Sequence, residues 1–164
     1  MYDLIILMGG DCLDSQNDSL FYTLDRLRQL DFFSVTKLSR NEALVLKAVQ
    51  ICIKDKKDGA KVFEVANYMG VVSPIVSRTL NQLEKNGYVL RTISRTDRRN
   101  VCITLTESGK QVLEETNMQI HSIVESVLGR MGNVAVEQLQ KNLQKWYDAS
   151  VEELKLFKQN NQKG

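Results

Sequence analysis

Apolar side chains recur along this chain at two different periods, and the places where the period changes mark out its elements. Leu20, Leu24 and Leu27 fall at i, i+4 and i+7 ahead of Asp31, the spacing of an amphipathic helix. A second helix is predicted to start at Ser39-Arg40-Asn41-Glu42, where hydroxyl and carboxylate can each satisfy an orphan backbone N–H of the other. The apolar run Leu44, Val45, Leu46, Val49 follows it. Asp55 to Gly59 is a polar connector, and Lys61 to Met69 is helical in pattern, stopping at Gly70. In Val71-Val72-Ser73-Pro74, Ser73 is expected to cap a further helix whose first turn holds the chain's only proline; Asn86-Gly87 closes that helix. The period then drops to two. Tyr88 to Ile93 is β-prone, Ser94 to Arg99 is a polar turn, and Val101, Ile103 and Leu105 alternate with Asn100, Cys102 and Thr104. Beyond Thr106 the helical period returns, through Val112, Leu113, Ile120, Ile123, Val124, Val127, Leu128 and Met131. Gly129 and Gly132 interrupt it, Asn133 is placed to cap the next helix, and Leu139, Leu143, Trp146, Leu154 and Phe157 continue it.

The helix that begins at Ser73 has two distinct faces. At 100° per residue, Val76, Leu80 and Leu83 fall within about 60° of one another and form a core stripe. Pro74, Arg78, Asn81 and Lys85 occupy a similar arc roughly opposite, with Ser73 and Ser77 near the N-terminus. Any amphipathic helix has a polar outer side, but this one matches a major-groove reader. Arginine can bond guanine O6 and N7, asparagine can bond adenine N6 and N7, and N-terminal backbone N–H groups can hold phosphate. The turn after it adds a second contact surface. Arg95, Arg98 and Arg99 surround Asp97, and an arginine at such a tip fits the narrow, strongly negative minor groove of A·T-rich DNA while the aspartate pins the turn. The expected fold is therefore mostly α: a winged helix-turn-helix with a small β-hairpin wing, plus N- and C-terminal dimerisation helices. The two helices beyond Thr106 are long and apolar along one stripe, and pack best against each other and a partner copy.

Composition narrows the function. The 164 residues suit one domain or two small lobes, and 43% are hydrophobic, enough for a core. The net charge is only +2, yet residues 54–110 carry eleven basic and six acidic side chains while the rest of the chain carries eleven and fourteen. A basic middle between acidic flanks points to a polyanion as partner. The longest apolar run, Leu4 to Met8, is far shorter than a membrane span, and Asp3 rather than a basic residue precedes it, so a cytoplasmic chain with no membrane partner is expected. Three widely spaced cysteines (Cys12, Cys52, Cys102) exclude a disulfide framework, and the lone His121 leaves no zinc set. No paired carboxylates, nucleophile–base set or cofactor loop stands out. The expectation is a protein without catalysis, cofactor or metal.

Several stretches together carry a family resemblance. They are Val65-Ala66-Asn67-Tyr68-Met69-Gly70, Ser73 with Val76-Ser77-Arg78, Leu83-Glu84-Lys85-Asn86-Gly87-Tyr88-Val89, and Asp97-Arg98-Arg99 through Leu105-Thr106-Glu107-Ser108-Gly109-Lys110. Over about residues 40–112 the chain closely resembles the MarR/SlyA family of bacterial transcription regulators. The resemblance implies residues 1–38 and 107–164 as a helical dimerisation region and 39–106 as the DNA-binding region. It implies a homodimer, a repressor, reading a pseudo-palindromic operator in double-stranded DNA. Helix 73–86 would lie in the major groove, with Ser73, Pro74, Ser77 and Arg78 facing DNA, and wing 94–100 in the minor groove. A small aromatic or phenolic effector would enter the crevice lined by Tyr22, Phe32, Phe33 and Leu38 opposite Leu113. Two alternatives accompany this reading: a thiol-based redox sensor and a winged-helix protein-interaction module. For the first, Cys12 lies among acidic residues, Cys52 falls in a core register, and Cys102 is expected on the outward face of the wing strand. The second would favour exposed aromatics over an arginine-tipped wing.

Overall fold

The computed structural model describes residues 15–54, 56, 58–93 and 101–161. Helix α1 (Ser15–Gln29) is followed by a 3-10 turn (Phe32–Val35), α2 (Arg40–Cys52), a short strand β1 (Ala60–Lys61), α3 (Val62–Met69), α4 (Ser73–Lys85), β2 (Val89–Ile93), β3 (Val101–Leu105), α5 (Glu107–Met131) and α6 (Asn133–Asn161). The chain divides into two compact units, Met1–Ile120 and His121–Gly164.

Local chemistry explains the boundaries in the first unit. At α2, Ser39 Oγ accepts from Glu42 N and the Glu42 carboxylate accepts from Ser39 N at 2.9 Å, the reciprocal cap that the sequence predicts. Helix α3 ends on Gly70 in the left-handed conformation at φ 66°, where a side chain would be strained. Helix α4 departs by one residue from expectation. Its N-cap is Val72, with no side-chain capping bond, and Ser73 is already helical ahead of Pro74. Proline fixes φ near the helical value and lacks the N–H a cap would satisfy, so the turn can close one residue early. Asn133 is likewise the first residue of α6 rather than its cap, after Gly132 at φ 78°.

One core holds this unit together. Leu38, Val45, Leu46, Val49, Val65, Val76, Leu80, Leu83, Val89, Ile103 and Leu113 are at most 2% exposed and belong to a single cluster. The three residues assigned to the inner face of α4 are all fully buried.

Strand β1 went unread in the sequence because it is only two residues long. It pairs with β3, giving an antiparallel sheet of order β1-β3-β2 with Cys102 opposite both Lys61 and Thr92. This corrects the placement of Cys102: it is 2% exposed, not outward, because its strand is the central one and is flanked on both edges. Val101, expected on the buried face, is 47% exposed at the open end of β3.

The start of α5 is locked to the end of α4. Thr106 N donates to Tyr88 O, Thr106 Oγ1 donates to Gly87 O at 2.7 Å, and that same oxygen caps the helix by accepting from Gly109 N at 2.9 Å. Gly109 is buried, and a Cβ on it would fall on the Tyr88 carbonyl. In the second unit, α6 runs for 29 residues without one buried side chain, and Trp146, Leu139, Leu143, Leu154 and Phe157 are 40–70% exposed.

Candidate nucleic-acid interface

Helix α4 projects its polar side. With Val76, Leu80 and Leu83 anchored in the core, Pro74, Arg78, Asn81 and Lys85 are exposed and Ser73 and Ser77 half-buried. Ile75, outside the polar arc that the sequence predicts, is 52% exposed on its flank. It is legible only as an apolar residue outside the core stripe.

A second residue the sequence reading missed is Arg91. In the β2–β3 register Val89 faces Leu105, Arg91 faces Ile103 and Ile93 faces Val101, so Arg91 shares the core-side face of the hairpin. From there its guanidinium reaches back to α4. One terminal nitrogen donates to Asn81 Oδ1 at 2.6 Å, and Nε lies 3.4 Å from a Glu84 carboxylate oxygen. An arginine in the apolar register of a strand was the available signal.

The wing residues Arg95, Asp97, Arg98 and Arg99 lie outside the described residues, as does Cys12.

Of the five residues proposed to line an effector crevice, Leu38 and Leu113 belong to the core cluster and Phe33 packs against it. Phe33 and Leu38 line a hollow of about 520 Å³ with Arg28, Asp31, Thr36, Ser39 and Arg40. Arg40 stacks 5.7 Å from the centre of the Phe33 ring. Leu113 is buried and borders a different hollow, with Lys47, Gln50 and Glu114; Tyr22 is 66% exposed on α1, and Phe32 is half-buried.

Of the described thiols, partial burial pushes Cys52 up from its usual value; Lys56 opposes this without cancelling it, and Glu64 adds to it. Such a thiol stays protonated and reacts slowly. His121 is exposed, 3.7 Å from Glu125 on the same helix. Among the described residues no helix is long and apolar enough to cross a membrane.

A helix-turn-helix formed by α3 and α4, backed by a three-stranded sheet with a β2–β3 hairpin, is a winged helix. Residues 51–101 match the model of the MarR family, and 89 residues are 32% identical to the HTH-type transcriptional regulator FarR of Neisseria gonorrhoeae. Over its winged helix the chain is similar to the MarR family. The match to FarR covers 52% of this chain and 61% of that relative, so the chain spans about three-fifths of the curated protein it matches. Solved structures agree on the fold. A variant of MepR from Staphylococcus aureus superposes with a TM-score of 0.67 at 18% identity, covering 84% of this chain and 98% of that one. YusO of Bacillus subtilis gives 0.66 at 22% identity, covering 85% and 99%. A second MepR variant, solved bound to an oligodeoxyribonucleotide, gives 0.58 at 18% identity, covering 84% and 99%. The name of the FarR relative is that of a transcriptional regulator.

Proposed function

We propose that this chain is a homodimeric DNA-binding transcription regulator, a repressor, that reads a pseudo-palindromic operator and is modulated by a small molecule. The observation that carries the reading is the outer face of α4. Three fully buried residues fix the helix to its core, while Pro74, Arg78, Asn81 and Lys85 remain exposed. In the major groove Arg78 would bond a guanine edge, Ile75 would meet a thymine methyl, and Lys85 in the last turn would meet phosphate. Arg95, Arg98 and Arg99 would supply the minor-groove contact, with Asp97 holding the turn.

Dimerisation is supported by α6, whose apolar residues are exposed in the single chain; a second copy would cover them and set two α4 helices about one duplex turn apart. The regions 1–38 and 107–164 would build that interface around the DNA-binding region 39–106. The hollow beside Phe33 and Leu38, with Arg28 and Arg40 at its wall, is of a volume that suits a small aromatic or phenolic effector. Such a molecule would act by binding one spacing of the two reading helices better than another. The bound MepR structure supports DNA as the ligand of this fold.

Selection of duplexes from a random pool tests the reading. The expected result is enrichment of an inverted repeat with half-sites about one helical turn apart. Enrichment of no sequence and no retention of duplex would overturn it.

A further inference from the structure

We infer that Arg91 turns Asn81 into a one-sided reader, a hydrogen-bond donor toward the bases, so that each half-site carries a guanine or thymine, not an adenine, where Asn81 touches it. This deepens the DNA-binding reading and rests on it.

Arg91 donates to Asn81 Oδ1 at 2.6 Å. A guanidinium only donates, so the carboxamide must present its oxygen to Arg91 and carry its NH2 on the other side; donor chemistry alone fixes that orientation. Arg91 is itself well placed to hold the amide. It rises from the inner face of β2, its Nε is closed off from solvent, and the Glu84 carboxylate lies 3.4 Å from that nitrogen one turn along α4.

An unrestrained asparagine favours adenine because oxygen and nitrogen can act together, accepting from N6 and donating to N7. Here the oxygen is already engaged by a cation. Its second lone pair exists, but a base amino group using it would lie against the guanidinium, donor against donor. The remaining NH2 suits an edge that only accepts: guanine O6 and N7, or thymine O4. Arg91 is thus a positioning residue, acting on the bases through Asn81.

The test repeats the random-pool selection with the full chain and three variants, each checked for folding by circular dichroism. Asn81→Ala, an exposed change, locates the contact: preference should flatten at one base pair per half-site. Wild type should prefer guanine or thymine there by roughly tenfold, the scale of one base-edge contact. Arg91→Leu should let adenine in at that pair alone. Asn81→Asp, which keeps a partner for Arg91 but offers only acceptors, should swing the preference to a base bearing an amino group, cytosine or adenine. The Asp variant decides the matter if Arg91→Leu does not fold. A merely structural Arg91 would weaken all sequences alike and leave the preference unchanged. The inference is overturned by adenine or cytosine at that pair in wild type, or by preference in Asn81→Ala that is either kept everywhere or lost everywhere. It is equally overturned if the Asp variant and any folded Leu variant keep the wild-type preference. Failure of wild type to enrich any duplex would instead overturn the DNA-binding reading.

Discussion

Replacing Gly109 by alanine sets two effects of known sign against each other. Alanine is the better helix former, by about 1 kcal/mol. Against this, the new Cβ would coincide with the Tyr88 carbonyl, and neither party is a flexible side chain that can swing away. Relieving such a main-chain collision by moving α5 costs about 1–3 kcal/mol. The shift also lengthens the Thr106 N to Tyr88 O and Thr106 Oγ1 to Gly87 O bonds, worth about 1 kcal/mol each. Packing wins, and Gly109→Ala should lower stability by about 1–3 kcal/mol, roughly 3–10 °C in Tm for a chain of this size. Gly129 lies in the same helix with nothing within 4 Å of its hypothetical Cβ. There propensity acts unopposed, and Gly129→Ala should raise stability by about 0.5–1 kcal/mol. Thermal and urea denaturation of both variants at one protein concentration provide the assay. A Gly109→Ala variant as stable as wild type would refute the claim that the α4–α5 junction is closed by main-chain contact.

Further outcomes concern the DNA face, acid stability and assembly. Arg78→Ala should weaken operator binding by about 1–3 kcal/mol and relax base preference, whereas Lys85→Ala should weaken all duplexes alike and reduce the salt slope by about one; fluorescence anisotropy separates the two. Glu64 is pushed up by partial burial, but its 2.7 Å ion pair with Lys56 and the bond from Lys61 N outweigh this and leave it below its usual 4.5. Glu115 is lowered by its hydrogen bond from Lys37, with Gln111 assisting. Both groups titrate at higher pH in the unfolded chain, so their stabilisation is present above pH 4.5 and fades as pH falls through the folded values. The urea midpoint should therefore hold near neutrality and drop below about pH 4.5, less so in the Glu64→Gln, Glu115→Gln double variant. Sedimentation at micromolar concentration should give about twice the chain mass of 18.7 kDa; a compact monomer would contradict the proposed interface.

The winged helix was legible because its signals are local. A capping box at Ser39, a left-handed stop at Gly70, a proline opening α4 and an alternating hairpin each act within a few residues, and each lies where the sequence put it, to within a residue. What escaped depends on contacts distant in sequence. Strand β1 is too short to carry a pattern and exists through its pairing with β3. That pairing also buries Cys102, which alternation alone had assigned to the surface. Arg91 looked like one more basic residue until the register placed it under α4. Apolarity alone does not tell a core residue such as Leu113 from a pocket wall such as Phe33.

The central claim is that the exposed side of α4 meets a nucleic-acid backbone and bases. Affinity for the selected duplex, measured across a range of salt concentrations, tests it most directly. A chain that neutralises several phosphates should show log affinity falling linearly with log salt, and should keep a preference for the selected sequence over an unrelated duplex at every concentration. Affinity indifferent to salt, or equal for both duplexes, would contradict it.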